Sequence, residues 1–214
     1  MSHVQTDSIT AARARMVRTQ LADRGIRDPR VLQAMLDVPR HEFIPAELRT
    51  DAYEDHPLPI GEGQTISQPY IVALMLEHLA LQPTDRVLDV GTGSGYVAAL
   101  LSRICAEVYS IERYPELAES ARHVLERLGY PNVKVVVGDG SQGLPEHAPY
   151  DAILVSAATF EVPPALFMQL REGGRMIVPV GSPFSQELQL VRKVNGPLEV
   201  EHLEGCRFVP LVEG

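Results

Sequence analysis

With 214 residues, 45% of them hydrophobic and 22% charged, the chain has enough apolar material for one sizeable core, and its formal charge is -9. That acidic balance argues against duplex nucleic acid as a partner, because phosphate binding needs a basic face. Two cysteines without a C-x-x-C pair suggest neither a disulfide framework nor a structural zinc site, and no run approaches the roughly 20 apolar residues of a membrane span.

From Thr10 to about Arg24 the pattern is helical, with Gly25 where a C-terminal cap belongs. Arg13, Arg15 and Arg18 fall on it as a solvated face. A second helix follows, capped by Asp28 with Pro29 in its first turn, carrying Val31, Leu32, Met35 and Leu36 as an apolar stripe and ending at Pro39. Between Pro39 and Pro69 prolines and glycines break the text into short segments, and this stretch is expected to be loop outside the core.

An α/β alternation then sets in. Helices are predicted at about Tyr70–Leu81, Tyr96–Cys105, Pro115–Leu128 and Pro163–Leu170; strands at Arg86–Val90, Glu107–Glu112, Val133–Val137, Asp151–Ser156 and Arg175–Val180. Crossovers of this kind demand a doubly wound, mostly parallel sheet with helices on both faces. Three closing segments, Glu187–Val194, Leu198–Leu203 and Arg207–Val212, lack intervening helices and predict antiparallel C-terminal strands. Residues 1–70 read as an N-terminal helical and loop extension, and 71–214 as the main domain, packed together as one unit. Cys105 and Cys206 read as ordinary buried thiols. The opening residues lack a basic segment followed by an apolar stretch, so a cytoplasmic location is expected.

The strongest local signal is Val87-Leu88-Asp89-Val90-Gly91-Thr92-Gly93-Ser94-Gly95-Tyr96, a strand running through three alternating glycines into a helix. Such a loop lets a ligand approach the backbone at the carboxyl end of the first sheet strand. Taken alone it is also, less often, the pattern of a tight turn that binds nothing. Glu112 ends the next strand 19 residues after Gly93 and is placed to accept hydrogen bonds from both hydroxyls of a ribose. Asp139, between Gly138 and Gly140 after the third strand, is placed to receive an adenine amino group, although Asp-Gly is also a common turn pair. The third glycine comes one place too early for the dinucleotide pattern G-x-G-x-x-G, and no P-loop is present.

The segment Leu88-Asp89-Val90-Gly91-Thr92-Gly93-Ser94-Gly95 resembles the first motif of class I S-adenosylmethionine methyltransferases, which implies a Rossmann-like methyltransferase fold. It also implies that Asp89, Gly91, Thr92, Gly93, Gly95, Glu112, Asp139 and Gly140 bind S-adenosyl-L-methionine, leaving S-adenosyl-L-homocysteine as product. Ser156-Ala157-Ala158-Thr159 stands where adenine-modifying members carry a proline-aromatic platform, which weakens a flipped-base reading.

Further segments, chiefly Gly63-Gln64-Thr65-Ile66-Ser67-Gln68-Pro69-Tyr70, with Val38-Pro39-Arg40-His41-Glu42-Phe43-Ile44-Pro45 and Arg207-Phe208-Val209-Pro210-Leu211, resemble the protein-L-isoaspartate O-methyltransferase family from about Thr19 to Val212. The resemblance implies methyl transfer to the free carboxylate of L-isoaspartyl residues in damaged proteins and peptides, with Ser67 in the active site. Thr65 and Ile66 would then help enclose cofactor and peptide, and the extension would form a substrate lid. Outside that motif Ser67 is also a candidate N-cap for the following helix. A carboxylate acceptor needs no deprotonation at neutral pH, so no catalytic base is sought, and His41, His56 and His78 read as structural or surface residues. The expected protein is a metal-free monomer with no nucleic-acid or membrane partner. The alternatives are a methyltransferase of the same fold acting on a small molecule or RNA, and a cofactor-binding protein without catalysis.

Overall fold

The computed structural model describes residues 3–196 and 198–214. Helix α1 (His3–Met16) runs on through a π turn at Val17–Leu21 and a 3-10 turn at Ala22–Arg24, and Gly25 ends it at φ 110°. Arg15 and Arg18 are solvent-exposed, while Arg13 is half-buried and donates to the Asp37 carbonyl at 3.3 Å. Helix α2 (Pro29–Asp37) is capped as its sequence dictates, with Asp28 accepting from the Arg30 N–H at 2.8 Å.

The stretch between Pro39 and Pro69 differs from expectation, because it belongs to the core. Its 3-10 turns and a small antiparallel hairpin, β1 (Leu58–Gly61) and β2 (Gln64–Ile66), turn Phe43, Ile44, Ala52, Tyr53, Leu58 and Ile66 inward. Prolines and glycines do break regular structure, but side chains between the breaks still pack when their backbone groups find partners. Here the fully buried Arg40 donates through Nε to the Ala52 carbonyl at 2.8 Å, and His41 Nδ1 lies 2.7 Å from the Tyr53 hydroxyl. The Phe43 ring meets Tyr96 edge-on at 5.6 Å.

Then come α3 (Pro69–Leu79), β3 (Arg86–Val90), α4 (Tyr96–Ser102), β4 (Glu107–Glu112), α5 (Pro115–Leu128), β5 (Val133–Val137), β6 (Tyr150–Val155), α6 (Pro164–Gln169), β7 (Leu170–Ser182), β8 (Ser185–Lys193) and β9 (Leu198–Cys206). The sheet order is β5-β4-β3-β6-β7-β8-β9, parallel from β5 through β7 and antiparallel from β7 to β9. Alternation along each strand divides the apolar residues between two cores. Val87, Val108, Ala152 and Ile177 join one with α2, α3 and α4, whereas Leu88, Tyr109, Ile153 and Met176 join a smaller one beneath α6.

The expected third closing strand, Arg207–Val212, does not form. The chain leaves the sheet after Cys206 and makes a single bridge, Pro210 beside Ala158, held by Ala158 N–H to the Val209 carbonyl and Leu211 N–H to the Ala158 carbonyl, both at 2.8 Å. Proline has no N–H to extend a ladder. Cys105 is buried but Cys206 only half so, and burial pushes the Cys206 thiol up to about 11.

Candidate active site

In this sheet the strand order reverses at β3, whose neighbours β4 and β6 lead the chain in opposite directions. An open parallel sheet has its crevice at the carboxyl ends of such strands. The glycine loop after β3 occupies that place, with Gly91, Gly93 and Gly95 all at positive φ, 92°, 52° and 87°. A Cβ on Gly140 would lie only 2.7 Å from Val90 Cγ1, closer than packing allows, while one on Gly93 would press the tip of Ile60 at 3.2 Å.

The loop's N–H groups are already engaged. Gly91 and Thr92 both donate to the Ile111 carbonyl, at 2.9 and 3.2 Å, and Gly93 donates to Glu112 Oε2 at 2.7 Å. A loop whose donors are satisfied internally offers close approach but no nest for a pyrophosphate. Glu112 is 5% exposed, and its Oε1 also accepts from the Tyr114 N–H at 3.0 Å. Each of its oxygens retains a lone pair, and the carboxylate lines the crevice, as two ribose hydroxyls require.

Asp89 lies wholly beneath the loop. Its Oδ2 accepts from Ser110 Oγ at 2.7 Å, Ser110 Oγ is 2.6 Å from Thr92 Oγ1, and its Oδ1 is buried without a protein partner. Burial, with a smaller contribution from the Glu112 charge, outweighs the Ser110 hydrogen bond and pushes its carboxyl up to about 7.

The crevice is open to solvent at its mouth, and its cavity volume is about 70 Å³. Of the residues the sequence singles out, Thr65, Ile66, Ser67, Gly91, Thr92, Gly93, Glu112 and Gly140 line it together. Asp89, Gly95 and Asp139 stand behind the lining. Gly95 is the N-cap of α4 and faces Ala121 and Leu125. Asp139 Oδ1 accepts from Ser141, and its Oδ2 accepts from the Gly214 N–H at 3.0 Å, so the last residues lie over it. The cap of α3 is Gln68 rather than Ser67.

A second, more open hollow, with a cavity volume of about 700 Å³, adjoins the first. Thr65, Ser67, Ser156 and Val209 line both, so the two hollows meet along these four residues. Sequence reasoning missed Ser156 and the Val209–Val212 run as site residues. Ser156 sits one residue beyond β6, at the carboxyl edge where crevice residues are sought. The family resemblance marks Arg207–Leu211 but gives the run no role, and the return past Ala158 is what brings it to the crevice.

Among the described residues no group of three or more His, Cys, Asp or Glu side chains is placed to hold a metal ion, and no helix is long and apolar enough to cross a membrane.

Comparison with known proteins agrees with this geometry. The sequence profile of the family described as protein-L-isoaspartate(D-aspartate) O-methyltransferase matches residues 12–214. A protein-L-isoaspartate O-methyltransferase of Koribacter versatilis is 60% identical over 200 residues, covering 94% of this chain and 90% of the relative. One from Methanoculleus marisnigri is 53% identical over 209 residues, covering 98% and 95%. A solved Plasmodium falciparum structure, described as this enzyme in complex with S-adenosyl-L-homocysteine, superposes with a TM-score of 0.83 at 29% identity, covering 94% of this chain and 99% of that one. The chain belongs to the protein-L-isoaspartate(D-aspartate) O-methyltransferase family.

Proposed function

We propose that the protein transfers a methyl group from S-adenosyl-L-methionine to the free carboxylate of L-isoaspartyl residues in damaged proteins and peptides, the first step of their repair. The observation that carries this reading is the shared wall. Ser67, with Thr65, Ser156 and Val209, borders both the crevice at the strand ends and the more open groove beside it. When bound, the cofactor supplies an electrophilic methyl on a sulfonium. Glu112 would hold its ribose, Thr92, Gly93 and Gly140 would lie against its body, and Asp139 would complete the adenine end from behind Gly140.

The chain's own residues then have two tasks, orientation and exclusion of water. Ser67 Oγ–H donates to one oxygen of the acceptor carboxylate, turning the other toward the crevice, and it forms no covalent bond. Thr65 and Ile66 from β2 close the near side, and the Val209–Leu211 run closes the far side. An ionised acceptor needs no general base, since a carboxyl near its ordinary pKa of about 4 is already deprotonated at neutral pH. The N-terminal hairpin β1–β2 supplies part of this wall, which supports a lid role for the first 70 residues. We place the enzyme in the cytoplasm as a monomer without nucleic-acid or membrane partners.

The test compares methyl transfer to an isoaspartyl peptide, its normal aspartyl twin and bulk RNA. Base-labile methyl on the first alone supports the proposal. Transfer to the aspartyl twin at the same rate, or to RNA only, contradicts it.

A further inference from the structure

The groove beside Ser67 has a charge pattern that the methyl-transfer step does not use. In a chain of net charge -9, Arg207 is the one charged side chain lining it among the described residues. Arg207 is solvent-exposed and takes part in none of the ion pairs found among those residues. The acids bordering the groove are otherwise occupied. Asp55 accepts from Gln68 at 2.8 Å and pairs with Arg24, and Glu204 accepts from the Tyr70 hydroxyl at 3.1 Å.

Phe184, 97% exposed at the tip of the β7–β8 hairpin, also lines the groove, two residues before Gln186, which pairs with Cys206 next to Arg207. The turn beneath it is pinned, with Ser182 Oγ accepting from the Phe184 and Ser185 N–H groups at 3.3 and 3.2 Å.

Arg207 lines the groove but not the cofactor crevice, whereas Ser67, Thr65, Ser156 and Val209 line both. The reacting carboxylate therefore belongs at the Ser67 junction, and Arg207 faces a different part of the same substrate chain. Pairing a guanidinium with the reacting carboxylate would also stabilise the anion against attack on the methyl group.

Resting on the isoaspartyl reading of the site, we propose that Arg207 is a specificity-determining residue that pairs with a second carboxylate, on an acidic residue flanking the acceptor. The rim ring of Phe184 covers the same stretch of peptide and excludes water from the pair. The preferred substrates are then isoaspartyl segments with a neighbouring Asp or Glu. A half-exposed pair of this kind changes affinity by about fivefold at moderate salt, and less as salt rises.

The experiment uses the full chain and isoaspartyl peptides that differ only in carrying Glu, Gln or Lys at one of the two positions on either side of the acceptor. At one position at least, the unaltered protein is expected to favour Glu over Lys about fivefold in kcat/KM, with the difference carried by KM. Arg207→Gln should flatten that ratio, and Arg207→Glu should invert it in favour of Lys. A Glu-to-Lys ratio near one at every position, or a preference that Arg207→Glu leaves intact, overturns the proposal. Failure to methylate any isoaspartyl peptide would instead overturn the reading of the activity, and this proposal with it.

Discussion

The crevice and the groove share Ser67 yet are assembled from the chain in different ways. The crevice floor is backbone drawn from consecutive strand ends, Gly91–Ser94, Ile111–Tyr114 and Gly140, each fixed by the parallel register of β3, β4 and β5. The groove is a meeting of remote segments: Pro57 to Ile71, Ser156, the β7–β8 turn, and the run from Gly205 to Val209. Strand register holds the crevice floor, and long-range packing holds the groove and the remaining crevice walls. Mutations in the crevice should therefore act on cofactor affinity, and mutations in the groove on acceptor turnover or on the stability of the walls.

The largest effect expected is on the groove side, at Gly181. Its φ is +147°, and an added Cβ would lie 2.2 Å from the Ser185 carbonyl oxygen, a backbone atom that cannot step aside without unpairing the hairpin. Gly181→Ala should cost about 4 kcal/mol in chemical denaturation, and an unchanged midpoint would show that the hairpin is not held by its register.

Next comes Glu112→Ala on the crevice side. It removes the acceptor we propose for the two ribose hydroxyls and strands the Gly93 and Tyr114 N–H groups. Cofactor affinity should fall about 100-fold, or about 3 kcal/mol, as read by calorimetry, with peptide KM little altered. An equal loss for both ligands would blur the division between the two hollows.

A smaller effect concerns pH. Burial holds the Asp89 carboxyl at about 7, above its ordinary 3.8, so the folded state keeps the proton longer than the unfolded chain does. The stability this adds is complete below pH 4 and is lost as pH rises through 7, by about 2 to 3 kcal/mol between pH 5 and 8. Asp89→Asn keeps an oxygen for Ser110 and should flatten that part of the profile in thermal melts at fixed salt. A variant that follows the same slope would place the titration elsewhere.

The same contrast explains what was legible in the sequence. Strands β3, β4 and β5 and helix α5 lie where apolar runs, helical periodicity and their end signals predict them, because such signals are local. The glycine loop and Glu112 follow from the same register. Residues 39–69 were misread as lying outside the core because proline and glycine report broken backbone but say nothing of where Phe43, Tyr53 or Ile66 turn. Arg207–Val212 alternates like a strand, yet Pro210 and the docking beside Ala158 draw it off the sheet and over the crevice. Only the fold could add it, and Ser156, to the site.

The central claim is that the Ser67 hydroxyl orients the acceptor where the two hollows meet. Its most direct test is single-turnover methyl transfer to an isoaspartyl peptide by Ser67→Ala, with cofactor affinity measured separately. The predicted result is a transfer rate about 30-fold lower, the worth of one orienting hydrogen bond of about 2 kcal/mol, at unchanged cofactor affinity. Full rate in the variant would contradict the claim.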